Sequence, residues 1–252
     1  IRDTIFPRIQ DGRVVLDDFT ITKEYLESMD KIYIIACGSS YYVGMVAKYN
    51  LEKLLRKPVE VALASEFRYC DPIVSDRTLA LVISQSGETI DTLAAMREAK
   101  RLGARVLSIC NVVGSTIARE SDDVIYTWAG PEIAVATTKA YSTQLAVTYL
   151  LGLKFAELLG TISDEEYDAM IREMLTIPSK IEEILAHKED IQHYAALYFN
   201  HESVFFNRPH LDYAVSLEGS LKLKEICYIH SEAYAAGELK HGPISLVEKG
   251  TL

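Results

Sequence analysis

The stretch Leu79-Ala-Leu-Val-Ile-Ser84 shows no alternation of polar and apolar residues over a strand's length. A strand built from it must be covered on both faces. Lys31-Ile-Tyr-Ile-Ile-Ala36, Val59-Glu-Val-Ala-Leu63, Arg105-Val-Leu-Ser-Ile-Cys110 and Val124-Ile-Tyr-Thr-Trp128 are further runs of strand length. The spacing predicts helices over residues 22–29, 41–56 and 89–102. The second carries Val43, Val46, Ala47, Leu51, Leu54 and Leu55 at helical spacing and stops before Pro58; the third is closed by Gly103. Strands alternating with helices define an α/β fold with a doubly wound parallel sheet. Such sheets bind ligands beyond the carboxyl ends of strands, where the winding reverses. Two turns follow strand ends, Cys37-Gly-Ser-Ser40 and Ser84-Gln-Ser-Gly-Glu-Thr89, so both can face one crevice.

In the second turn, Ser84, Gln85, Ser86 and Thr89 fall where the strand stops and a helix begins. Their hydroxyls converge with the unpaired N–H groups of the first helical turn, which makes a mould for a phosphate. Gly87 allows close backbone approach, and no Lys follows as it would in a nucleotide P-loop, so a phosphate monoester is the expected anion. Ser and Thr at these positions also serve as ordinary helix caps, and the pattern fits both uses. The residues from Gly38 to Gly44 do not fit G-x-G-x-x-G, which disfavours a dinucleotide.

The 252 residues are 49% hydrophobic with a net charge of −10, enough for one large core or two smaller ones. That acidity argues against general affinity for nucleic acid or anionic lipid. Cys37, Cys70, Cys110 and Cys227 are widely spaced without a CxxC pair and read as reduced cytosolic thiols. The N-terminus has no signal-peptide pattern, and Lys154 and Glu157 interrupt the longest apolar segment, so a cytoplasmic protein is expected. The chain starts without Met and stops at Leu252 where another strand could begin, and it reads as part of something longer.

Residues 1–20 are expected to form a linker arm and residues 21–160 the first α/β domain. Residues 161–200 read as a helical connector, opened by the capping box Ser163-Asp-Glu-Glu166 and interrupted at Pro178. A second α/β domain, cut short, is expected over residues 201–252, with a strand at 203–206 and a helix at 217–229. On that helix Glu218, Lys222 and Glu225 stand at i, i+4 and i+7, so one face carries acid, amine and acid. Such a face can shuttle a proton between adjacent carbons if it borders a crevice, or form ordinary ion pairs if exposed. His241 lies in a loop beside Gly242 and Pro243, where a general acid or base has freedom to act. His230 and Glu232 near the helix end are weaker candidates.

Ala36-Cys-Gly-Ser-Ser-Tyr41, residues 84–92, residues 130–141 and the pair 217–225 and 238–243 together resemble the isomerase half of the glucosamine-6-phosphate synthases, the glutamine:fructose-6-phosphate amidotransferases. The resemblance implies two sugar isomerase (SIS) domains, each a flavodoxin-like three-layer sandwich, the second incomplete. It implies that Ser84, Gln85, Ser86 and Thr89 hold the phosphate of fructose 6-phosphate, and that Ser39, Ser40, Val135 and Thr137 contact the sugar hydroxyls. By the same resemblance Glu225 moves a proton between C1 and C2, Lys222 assists, and His241 supplied by the partner subunit opens the ring. No metal or redox cofactor is implied. The implied partners are the sugar phosphate, a glutaminase domain of the same polypeptide and a second copy in a homodimer, with no nucleic acid and no membrane.

Three features depart from that family: the glutaminase half is absent, as is the C-terminal tail, and Asn207-Arg-Pro209 replaces a glycine-rich turn. Two other readings fit a chain of this kind. One is a regulatory SIS module that senses a sugar phosphate; the other is an amino-sugar phosphate deaminase or isomerase without a glutaminase partner. Glu225, Lys222 and His241 together favour the synthase over a sensor, which has no use for a proton shuttle.

Overall fold

The computed structural model describes residues 1–248 and 250–252. They fall into two compact units, Ile1–Leu175 and Thr176–Leu252.

The first unit is organised by five parallel strands, β3 (Lys31–Ala36), β4 (Val59–Leu63), β5 (Thr78–Ser84), β6 (Arg105–Cys110) and β7 (Asp123–Tyr126), in the order β4-β3-β5-β6-β7. The chain leaves β3 to one side, forms β4, then crosses to β5 on the other side. The winding therefore reverses between β3 and β5. Every residue of β5 is buried, because helices cover both faces. Tyr33, Ile35, Ala80 and Val82 pack toward α4 (Ala64–Phe67), α5 (Ile90–Arg101) and α6 (Thr116–Glu120), in a cluster with Phe67, Met96 and Ile117. The alternate residues Ile34 and Val61 meet α3 (Gly38–Leu55), which lies so close that a Cβ at Gly44 would come 2.9 Å from Ile34 Cγ2. The long apolar α7 (Lys139–Leu159) packs against α3. These are the three layers, and they explain why the strands lack alternation.

Residues 1–20, expected as a linker arm, instead fold into this unit. They form α1 (Arg2–Ile5), a short 3₁₀ turn (Phe6–Arg8) and the antiparallel pair β1 (Ile9–Gln10) and β2 (Arg13–Val14). Ile5 and Val14 are fully buried, Thr4 Oγ1 donates to the Thr127 carbonyl at 2.7 Å, and the guanidinium of Arg8 donates to the carbonyls of Thr4 and Tyr126. Elements this short carry no period, so their apolar residues bury singly and leave no pattern to read. After them α2 (Lys23–Ser28) begins at Thr22, whose hydroxyl accepts from the Tyr25 N–H.

The capping box holds: Glu166 N–H donates to Ser163 Oγ at 3.2 Å and Ser163 N–H donates to Glu166 Oε2 at 3.1 Å, opening α8 (Asp164–Ala186). Ser163→Ala is expected to lower the unfolding free energy by about 1 kcal/mol. A urea titration should show this as a lower midpoint at unchanged slope. Pro178 does not interrupt α8, contrary to the sequence expectation, and lies within it. A proline deletes one ladder bond and crowds one carbonyl, which bends a helix more often than it ends one when the flanking turns are good helix formers.

The second unit contains α9 (Lys188–Tyr198), β8 (Ser203–Arg208), α10 (His210–Lys222) and β9 (His230–Ala235). The two strands pair in parallel and α10 packs against both. Ser220 Oγ and Ser231 Oγ each donate to the other residue's carbonyl at 2.8 Å, both residues buried, locking helix to strand. The helix expected over residues 217–229 begins at His210 and ends at Lys222, followed by a π-helical turn at Leu223–Cys227. His230 and Glu232, expected near that helix end, are on β9. Among the described residues no helix is long and apolar enough to cross a membrane.

Candidate functional site

The carboxyl ends of β3 and β5 lie side by side, with Ala36 in register with Ile83. The turn at residues 37–40 is shorter than the sequence suggested, because α3 starts at Gly38 and puts Ser39 and Ser40 on its first turn. Both are half-buried. Thr92 Oγ1 donates to Cys37 Sγ at 3.7 Å, tying the start of α3 to the start of α5.

Beyond β5, Ser84 is buried while Gln85, Ser86 and Thr89 remain half-open to solvent. Ser84 has the same strand parity as Ala80 and Val82, so its hydroxyl leans toward α5. There Ser84 Oγ accepts from Gly87 N–H at 3.0 Å and lies 3.3 Å from Thr89 Oγ1. Ser86 Oγ accepts from Glu88 N–H at 3.2 Å. Thr89 is the residue before α5, and the following N–H groups have no intrahelical acceptor. Gly87 has φ +66, and a Cβ there would stand 1.9 Å from Ser115 Oγ. Its carbonyl accepts from Ile117 N–H at 3.0 Å, which pins the turn against α6. The Glu88 carboxylate accepts from Thr116 N–H at 2.7 Å, and that backbone hydrogen bond pulls its pKa below the usual carboxylate range. The one acid in the turn is thereby held on α6.

Sequence reasoning missed Asn111. Its N–H donates to the Gln85 carbonyl at 3.0 Å, and its Oδ1 accepts from Thr127 Oγ1 and Ala129 N–H, both at 2.8 Å. It joins the hydroxyl turn to the segment leading toward Val135 and Thr137. On that segment Val135 is 95% exposed and Thr137 half-buried. Gln144 on α7 was also missed; its Oε1 accepts from Ser40 Oγ at 3.1 Å. The pairing of β5 with β6 brings Asn111 to Gln85 and the packing of α3 on α7 brings Gln144 to Ser40, and neither residue carries a local motif.

In the second unit Lys222 sits between two carboxylates, with Nζ 2.5 Å from Glu225 Oε2 and 3.6 Å from Glu218 Oε1. Glu218 is 5% exposed. The three side chains meet as expected, but Glu225 reaches Lys222 from the π-helical turn rather than from a continuous α-helical face. Such turns recur at functional positions because they re-aim a side chain. His241 is exposed in a turn closed by its own N–H to the Glu238 carbonyl at 2.9 Å. His230 Nε2 lies 3.8 Å from Glu232 Oε1. Where the sequence lacks a glycine-rich turn, Pro209 precedes α10 and His210 takes φ +54, a left-handed conformation that a glycine would adopt freely.

A doubly wound sheet whose reversal point is lined by alcohols and free N–H groups, with no Lys or Arg among residues 84–92, defines the class. The SIS domain family matches residues 25–154, and the chain belongs to it. More particularly, it is similar to the C-terminal domain of glucosamine-fructose-6-phosphate aminotransferase from Francisella tularensis. The identity is 42% and the TM-score 0.94, over 99% of this chain and 70% of that one. Glutamine–fructose-6-phosphate aminotransferase (isomerizing) of Clostridium acetobutylicum is 58% identical over 253 residues, covering 100% of this chain and 42% of that protein. The chain thus spans about two fifths of the length of such relatives. Glucosamine-6-phosphate deaminase from Thermotoga maritima, 24% identical with a TM-score of 0.70 over 99% of this chain and 74% of that one, shares the fold.

Proposed function

We propose that this chain is the isomerase domain of a cytoplasmic aminotransferase that converts fructose 6-phosphate to glucosamine 6-phosphate with ammonia drawn from glutamine by a glutaminase domain of the same polypeptide. The observation that carries this reading is the hydroxyl turn. Ser84 and Ser86 each accept a backbone N–H, Ser84 Oγ pairs with Thr89 Oγ1, and Gln85, Ser86 and Thr89 are half-open to solvent, so hydroxyl protons of the turn are available to an anion. In this reading Ser84, Gln85, Ser86 and Thr89 bind the phosphate, and Ser39, Ser40, Val135 and Thr137 face the sugar hydroxyls.

Ammonia adds at the C2 carbonyl and water leaves. Glu225 then takes a proton from C1 and returns it to C2, with Lys222, whose Nζ lies 2.5 Å from Glu225 Oε2, assisting the transfer. His241, supplied by the second copy of a homodimer, opens the sugar ring. That arrangement would make the dimer a condition of turnover.

Isothermal titration with fructose 6-phosphate against fructose tests the phosphate mould. Several hydrogen bonds to a charged group predict binding of the phosphorylated sugar tighter by about 100-fold or more. Equal affinity for the two sugars, or none for either, would overturn the assignment.

A further inference from the structure

Gln144 is fully buried on α7, and its side chain does two unequal things. Its Oε1 accepts the Ser40 hydroxyl proton at 3.1 Å, while its Nε2 has no hydrogen-bond partner among the described residues. A buried amide N–H₂ without a partner is costly, and it persists where the other end of the amide is needed.

The consequence lies in which way each hydroxyl points. Ser84 Oγ and Ser86 Oγ are already acceptors of backbone N–H groups, and Ser84 also pairs with Thr89 Oγ1. Whichever of Ser84 and Thr89 donates to the other, one proton of that pair is left for a ligand, as is the proton of Ser86. Ser40 is the reverse case: its proton is committed to Gln144, so it offers only lone pairs. A phosphate dianion has no proton to give and cannot use such a group, whereas a sugar hydroxyl can.

We infer that Gln144 is a positioning residue that fixes Ser40 as an acceptor, dividing the crevice into a donor-lined anion end and an acceptor end selective for a hydroxyl-bearing ligand. This rests on the reading of Ser40 as a sugar contact. Gln144 touches no ligand itself and acts through Ser40.

The test is calorimetric titration of the chain with fructose 6-phosphate and, separately, with inorganic phosphate, for wild type, Gln144→Met, Ser40→Ala and the double variant. Methionine fills the same volume and removes the unpaired N–H₂, so the melting temperature is expected to hold or rise. Gln144→Met should weaken fructose 6-phosphate by about tenfold, the worth of one hydrogen bond, and leave inorganic phosphate within about twofold. The double variant should lose no more than Ser40→Ala alone, because both act through one contact. Equal loss of both ligands, no loss of either, or additive losses would overturn the role of Gln144 and leave the proposed function standing. A wild-type chain that binds neither ligand would overturn that function and this inference with it.

Discussion

Gly87→Ala is expected to destabilise the first unit by roughly 3 kcal/mol and to weaken fructose 6-phosphate about 100-fold, through two separable effects. An L-residue at φ +66 carries a backbone penalty of about 1 kcal/mol. The added Cβ would also sit 1.9 Å from Ser115 Oγ and 2.5 Å from Ser115 Cβ. Ser115 is 3% exposed, so it has no room to retreat, and shifting the turn instead would break the Ile117 N–H bond to the Gly87 carbonyl. Either relief displaces the Gly87 N–H that orients Ser84 Oγ. Adding Ser115→Gly should restore the steric part and leave the backbone part. Urea denaturation and titration calorimetry on the three proteins separate them. A single variant with wild-type midpoint and affinity would show that the turn is looser than its contacts imply.

The second large effect is expected at Glu225. In a chain extended to the full length of its relatives, Glu225→Gln should slow exchange of the C2 proton of glucosamine 6-phosphate with solvent by about 10²- to 10⁴-fold, while leaving affinity for the sugar phosphate nearly unchanged. Glutamine keeps the shape and an oxygen for Lys222 but has no basic site. The competing account is an ordinary ion pair at a partly exposed helix end, since the Lys222 and Glu225 side chains are 19% and 32% exposed. Pairs of that kind contribute at most about 1 kcal/mol to stability and nothing to proton exchange. Unchanged exchange in the variant would favour that account and remove Glu225 from the chemistry.

Legibility followed the length of each element. The strands β3, β5 and β6 were readable because a strand buried on both faces is apolar along most of its length, and Thr78–Ser84 meets that demand at five consecutive positions, Leu79 to Ile83. The capping box at Ser163 was readable because both partners lie within one helical turn. The N-terminal 20 residues were not, since a four-residue helix and two-residue strands are too short to show a period. The start of α10 was hidden for another reason: Pro209 occupies the capping position without a side-chain hydrogen bond, and His210 sits in a left-handed conformation that its residue type does not announce.

From its residues alone the chain settled the parallel α/β sheet, the hydroxyl turn after β5 and the clustering of Glu218, Lys222 and Glu225, because each is a matter of neighbours within a few positions. Tertiary structure decided the rest. The folding of residues 1–20 into the first unit, the tie from Asn111 to the hydroxyl turn and the hold of Gln144 on Ser40 join groups that only strand pairing and helix packing make adjacent; Ser40 and Gln144 are 104 positions apart. Hydrogen-bond direction is likewise invisible in a list of residues. Ser40 and Ser84 are the same side chain, and only the buried partner each one finds determines whether it gives a proton or receives one.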